Sequence, residues 1–103
     1  MIDECLSALS NVHRRRVLMA LLEHNPQKDT ATHVPEEIHV GEAELDVLRA
    51  ELHHTHLPKL EELGLIRWNQ ADEEVVKGPR FDEIRPLLEL MANHAAELPD
   101  DWV

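Results

Sequence analysis

The sequence predicts a mainly α fold with a small β-hairpin. Three observations carry that expectation. Apolar residues recur at helical spacing in separate stretches. Two short strand-like runs near residue 70 flank a polar turn. The apolar residues are chiefly Leu, Ile, Val and Ala, with Trp68, Trp102 and Phe81 the only aromatics and no tyrosine, a palette that suits packed helices. At 103 residues the chain is one domain long, read as a domain over 1–98 and a tail over 99–103. A domain of this size buries only a little over ~60 % of its unfolded surface, so pairing with a second copy would help it.

Ile2, Leu6 and Leu9 mark a first short helix over 3–10. Asn11 is placed to cap the next helix, Val12 to Glu23. That helix stops at His24-Asn25-Pro26, because the residue before a proline resists the helical region. Residues 26–33 read as a polar loop. Pro35 to His39 reads as a short helix ended by Gly41. A long helix then runs from about Ala43 to Leu63, with Leu45, Leu48, Leu52, His56, Leu60 and Leu63 on one side. Pro58 should kink it, and Gly64 closes it. Leu65 to Trp68 is a strand, Asn69 to Glu73 a turn, and Glu74 to Lys77 the returning strand. Gly78-Pro79 ends the hairpin. A last helix runs from a cap at Asp82 to Leu98, with Ile84, Leu87, Leu88, Met91, Ala95 and Leu98 on its apolar side. Helices followed at once by a two-stranded hairpin are the winged helix-turn-helix layout.

Two segments carry a resemblance. Leu9-Ser10-Asn11-Val12-His13-Arg14-Arg15-Arg16-Val17-Leu18 resembles the opening helix of ArsR-like winged-helix regulators. The run from His53-His54-Thr55-His56-Leu57-Pro58-Lys59-Leu60 to Gly64-Leu65-Ile66 resembles the end of their recognition helix. In its specific H-H-x-H-L-P-K-L form the second segment is similar to a group of short haloarchaeal winged-helix proteins. With the hairpin, the resemblance spans roughly residues 6–78. It implies a DNA-binding regulator, often a homodimer, with a recognition helix at about 45–63 and a hairpin wing at 65–77.

Charge bears on that expectation from both sides. The net charge is −11, from 10 basic and 21 acidic residues, whereas DNA-binding domains are usually basic. The acid is uneven, however. Residues 1–25 hold three charges of each sign, and residues 64–80 are also balanced, while residues 81–103 sum to −5. At molar salt the Debye length is only ~3 Å, so a distant acidic face hardly repels phosphate. A salt-rich cytoplasm fits such a protein. The acidic start Met1 to Cys5 is unlike a signal peptide, the longest apolar run, Val17 to Leu22, is too short for a membrane span, and the lone Cys5 cannot pair within the chain. A cytoplasmic location follows as the expectation.

The candidate DNA contacts are His53, His54, Thr55 and Lys59, whose imidazoles, hydroxyl and ammonium can meet base edges or phosphate. A solvated helix face is the bland alternative. His56 lies on the leucine side and reads as a packed histidine bonded to backbone. Arg14, Arg15 and Arg16 point three ways, so at most two can meet one strand of DNA; Arg14 and Arg15 are the candidates, ion pairing the alternative. Arg67 and Lys77, on paired strands, are candidates to flank a phosphate, or are solvated strand ends. The wing tip Asp72-Glu73-Glu74 repels phosphate, which argues against deep insertion of the wing. Leu6, Leu9, Leu87, Leu88, Met91 and Ala95 are the candidate dimer interface.

Other readings stay open. One is a winged helix used only for protein contact within a transcription complex. Another is a metal- or redox-responsive repressor, since His53 and His56 are spaced to share an ion and Cys5 could be oxidised. No paired-cysteine metal box is present, nor any glycine-rich phosphate loop or nucleophile–base motif. The expectation is therefore a non-enzyme without cofactor.

Overall fold

The computed structural model describes residues 1–25, 27–28 and 42–103; the expected helix at 35–39 and the end at Gly41 lie outside these. Helix α1 covers Ile2–Leu9 and α2 covers Val12–Glu23. Asn11 caps α2 as expected: its backbone is extended and its side chain accepts the His13 N–H at 2.8 Å. His24, two residues before Pro26, leaves the helix with φ −141° and ψ 127°, where the sequence predicts its stop.

A two-residue strand follows, β1 at Gln27–Lys28, where the sequence had suggested only a loop. It pairs with the hairpin, so the sheet has three strands in the order β1-β3-β2. Two residues carry no alternation to read, which is why the strand was invisible. Asn25 reinforces the join by accepting the Lys77 N–H at 3.2 Å.

Helix α3 covers Glu42–Glu51, and α4 covers Leu57–Glu62. Between them Leu52–His56 winds as a π turn, in which the Leu57 N–H bonds back five residues to the Leu52 carbonyl. The expected kink at Pro58 takes this form. Proline has no N–H to give, and its ring collides with the carbonyl four residues back in an ordinary helix; the wider turn relieves both problems. The wider turn also rotates the buried side. Leu52, His56 and Leu60 are buried as the periodicity predicts, but so is Leu57, one π turn after Leu52. Leu45 and Leu48 lie on α3 outside the residues whose side chains are described.

Gly64 ends α4 at φ +79°. The Leu65 N–H reaches the Leu60 carbonyl and the Gly64 N–H the Glu61 carbonyl, both at 3.0 Å, the Schellman arrangement that glycine permits. The hairpin is β2, Ile66–Asn69, and β3, Glu74–Lys77. In its turn Glu73 sits at φ +56°, a region that costs a side chain about 1–2 kcal/mol. Glu73→Gly is therefore expected to leave the fold intact and raise stability by up to about 1 kcal/mol in a denaturant melt; a loss of stability would show that the Glu73 side chain contributes more than its backbone strain costs.

Helix α5 covers Phe81–Asn93 and is followed by a 3₁₀ turn at Ala95–Glu97. Its cap is Arg80, not Asp82. Asp82 and Glu83 instead lie in the first turn, where acids suit the helix dipole. The start is set by packing, since Phe81 must reach the core. The helix also ends earlier than Leu98. The core gathers Cys5 and Ala8 of α1, Val17, Leu18 and Leu21 of α2, Leu52, Leu57 and Leu60, and then Leu65, Ile66, Val75, Phe81, Ile84 and Leu88. Among the described residues, no helix is long and apolar enough to cross a membrane.

Candidate nucleic-acid interface

The π turn decides what the middle of the chain presents. His54, Thr55 and Pro58 are exposed and His53 and Lys59 half-buried, while His56 turns inward. Of the four contacts expected there, His54 and Thr55 form the outermost pair and His53 and Lys59 flank them. The His53 ring lies 5.2 Å from that of Trp68 on β2. Glu61 of α4 accepts the Trp68 N–H at 3.0 Å. These two contacts tie the hairpin to the helix that carries the pair.

The hairpin register separates two residues that the sequence grouped. Ile66 stands opposite Lys77 and Arg67 opposite Val76. Side chains alternate along a strand, so Lys77 shares the inner face with Ile66 while Arg67 points outward and is exposed. The Lys77 ammonium lies 5.2 Å from the centre of the Phe81 ring. The two cations therefore cannot flank one phosphate, a conclusion that parity with Ile66 and Val75 would already have given. The hairpin tip keeps Asp72 and Glu73 exposed, with Asp72 bound by Asn69 through both its N–H, at 3.2 Å, and its carboxylate, at 2.7 Å.

The arginines of α2 are occupied. Helix α1 has no basic residue in its last turn, and its final carbonyls are met from the next helix. Arg14 donates to the carbonyls of Ala8 and Ser7, both at 3.0 Å, and to the Ser10 hydroxyl at 3.1 Å. Arg15 donates to the Leu9 carbonyl at 2.7 Å and to the carbonyls of Trp102 and Asp101. Positive charge at a helix C-terminus is favourable, so these side chains are better used here than at a DNA strand. Arg15 thereby holds the tail, and Trp102 is half-buried.

Sequence reading placed His56 correctly in the core but not its partner. Its Nδ1 lies 3.3 Å from the Arg14 guanidinium, and the His13 ring stands 5.5 Å away. Burial first, and then the charges of Arg14 and His13, push its pKa below the ordinary histidine value, against a smaller opposite effect of Glu51.

Helices α1 and α5 meet at their starts. The Cys5 thiol faces the Glu83 carbonyl at 4.0 Å, and Arg80 bridges Glu4 at 3.6 Å and Glu83 at 2.7 Å. Burial and Glu83 raise the Cys5 pKa, which keeps it the less reactive thiol. Of the expected dimer residues, Leu88 is fully buried in the chain's own core and is unavailable. Leu6 is 54 % exposed and Ala95 is exposed; Leu9, Leu87 and Met91 are half-buried. Ile2 and Leu90, outside the expected set, are likewise exposed, 57 % and 56 %. Periodicity tells which side of a helix is apolar, not which part of that side its own chain covers. Among the described residues, no three of His, Cys, Asp and Glu are placed to hold a metal ion.

The family model of a domain of unknown function, DUF7344, matches residues 6–76, well over half of the chain. The chain belongs to the DUF7344 family. The matched span begins in α1 and ends in β3, so Arg14, Arg15, the π turn and the hairpin as far as Val76 lie within the DUF7344 domain, while α5 and the tail follow it. Comparison with curated proteins and with solved structures gave no match.

Proposed function

We propose that this DUF7344 protein is a sequence-specific DNA-binding transcriptional regulator of the winged-helix type. The observation that carries the reading is the exposed His54–Thr55 pair on a helix whose flank is tied to a β-hairpin by Glu61 and by the His53–Trp68 contact. A groove reader needs such a pair on a rigid mount, because phosphate contacts set position and base-edge contacts set sequence. The hairpin β2–β3 follows directly on α4, the helix-then-hairpin layout that the sequence resemblance implies. The likeness of residues 9–18 and 53–66 to ArsR-like and haloarchaeal regulators points the same way. His54 and Thr55 read bases, Lys59 and Arg67 meet phosphate, His53 holds the wing, and Arg14, Arg15 and Lys77 act within the fold.

His54→Ala is expected to weaken binding to a selected site by about tenfold or more, the value of one lost base contact, with an unchanged melt. Lys59→Ala is expected to weaken all sequences alike and reduce the salt slope by about one. Unchanged affinity in both variants would remove this face from the reading.

The working unit in this proposal is a homodimer that pairs through Ile2 and Leu6 of α1 and Leu90 of α5, setting two recognition helices about 34 Å apart or a multiple of it. Leu90→Glu is expected to give a folded monomer by sedimentation; a dimer that survives it pairs elsewhere. A second reading, protein contact within a transcription complex, is favoured by the acidic wing tip and the net charge of −11.

A further inference from the structure

Among the described residues, His56 is the buried polar side chain of the core, 6 % exposed. It ends the π turn, with Nδ1 at 3.3 Å from Arg14 Nη1. A guanidinium donates and does not accept. Nδ1 therefore accepts, and the neutral imidazole carries its proton on Nε2. Arg14 is not free to swing aside, because its other nitrogens hold the Ser7 and Ala8 carbonyls and the Ser10 hydroxyl. A proton arriving at Nδ1 meets a fixed N–H donor, a fixed positive charge and the His13 ring at 5.5 Å, in a site from which water is largely excluded.

The charges on the packed elements agree. From α2, Arg14 and His13 oppose the proton, and from α3, Glu51 favours it. On α3, Arg49 and Asp46 pair with each other at 4.0 Å. On α4, Lys59 is a further cation three residues along, Glu61 is engaged by the hairpin, and Glu62 is exposed. β2 reaches the turn through Trp68, with Arg67 facing away.

We infer that this junction is an acid-opened clamp: proton uptake by His56 breaks its contact with Arg14 and releases the π turn and α4, which carry His54, Thr55 and Lys59, from the α1–α2 body. Its consequence for binding rests on the DNA reading above; the opening itself does not. A released histidine titrates near ~6.5, and the clamped one lower. The open form thus binds more protons. The clamp is fully closed above that value and weakens as pH falls through it, by up to about tenfold in the closed-to-open ratio per pH unit until the clamped pKa is reached.

The test is amide hydrogen exchange on the whole chain at pH ~7.5 and ~5 in constant salt, corrected for intrinsic exchange. Protection over residues 52–62 is expected to fall about tenfold or more at the lower pH, while α5 keeps its own. His56→Asn, whose amide oxygen can still accept from Arg14, is expected to abolish the change. If that variant fails to fold, the wild-type imidazole titration decides. His56 titrating below the ordinary histidine range supports the clamp; titration at or above that range overturns it. Unchanged protection, or equal losses over 52–62 and α5, also overturns it. DNA binding at the same two pH values separates the claims. Opening with no DNA binding at either pH leaves the clamp and removes the DNA reading. DNA binding with undiminished protection over 52–62 does the reverse.

Discussion

Gly78→Ala is expected to lower stability by about 3 kcal/mol or more, which for a domain of this size lowers the melting temperature by more than ~10 °C. A Cβ at residue 78 would lie 2.5 Å from the Gly64 carbonyl oxygen, 2.7 Å from the Ile66 nitrogen and 2.8 Å from the Leu65 carbonyl carbon. All three are backbone atoms, so no side chain can turn aside. The same crossing is closed by Gly78 N–H to the Leu65 carbonyl at 2.9 Å and Arg80 N–H to the Gly64 carbonyl at 2.8 Å. Any shift that admits the methyl group stretches both bonds and pulls the end of α4 from the exit of the hairpin. Gly64→Ala should cost less, about 1–2 kcal/mol for its positive φ, because its Cβ meets the flexible Arg80 side chain. Thermal melts of the two variants check the order. A Gly78→Ala melt within ~1 kcal/mol of wild type would contradict this account of the crossing.

Arg14→Met is expected to cost about 2–4 kcal/mol. The stem is retained, so the loss is in hydrogen bonding. Ser7 and Ser10 are exposed and regain water. The Ala8 carbonyl and the His56 Nδ1 belong to buried residues and do not regain it fully, and an unsatisfied buried acceptor is the expensive outcome. Arg14→Lys should rescue little, because one ammonium cannot span the acceptors that a guanidinium fork reaches. The substitution has a second signature. With the neighbouring cation gone, the His56 pKa rises toward its unfolded value, so the decline in stability below pH ~6.5 becomes shallower. Denaturant melts at two pH values read both effects. Equal stability in wild type and Arg14→Met would return Arg14 to the pool of groups available for phosphate.

Much of this fold was legible because its signals are local. Asn11 ahead of an apolar-periodic run, Gly64 at the end of another, and the turn at 69–73 each specify a boundary through their own chemistry. The form of the break at Pro58 was not legible, because periodicity assumes a constant turn; the π turn adds Leu57 to the core. The partners of the arginines were not legible for a related reason. They are backbone carbonyls of α1 and the tail, and no sequence pattern records where a carbonyl goes unmet. Leu88 and Met91 share the apolar side of α5, yet only tertiary packing assigns the first wholly to the core and leaves the second half-buried. Within the candidate interface, His54 and Thr55 were readable from a helical wheel, whereas the hold of Glu61 and His53 on the wing depends on contacts across the helix–hairpin junction.

The central claim is that the His54–Thr55 face reads DNA, and the direct measurement is selection of genomic fragments from the source by the purified protein at ~2 M and ~0.2 M potassium chloride, since affinity has meaning only at a stated salt concentration. The account predicts that a few fragments sharing a pseudo-palindromic site are retained at the higher salt, and that His54→Ala loses them while remaining folded. A folded, dimeric protein that retains no fragment at either salt would contradict it and leave protein contact as the function of this face.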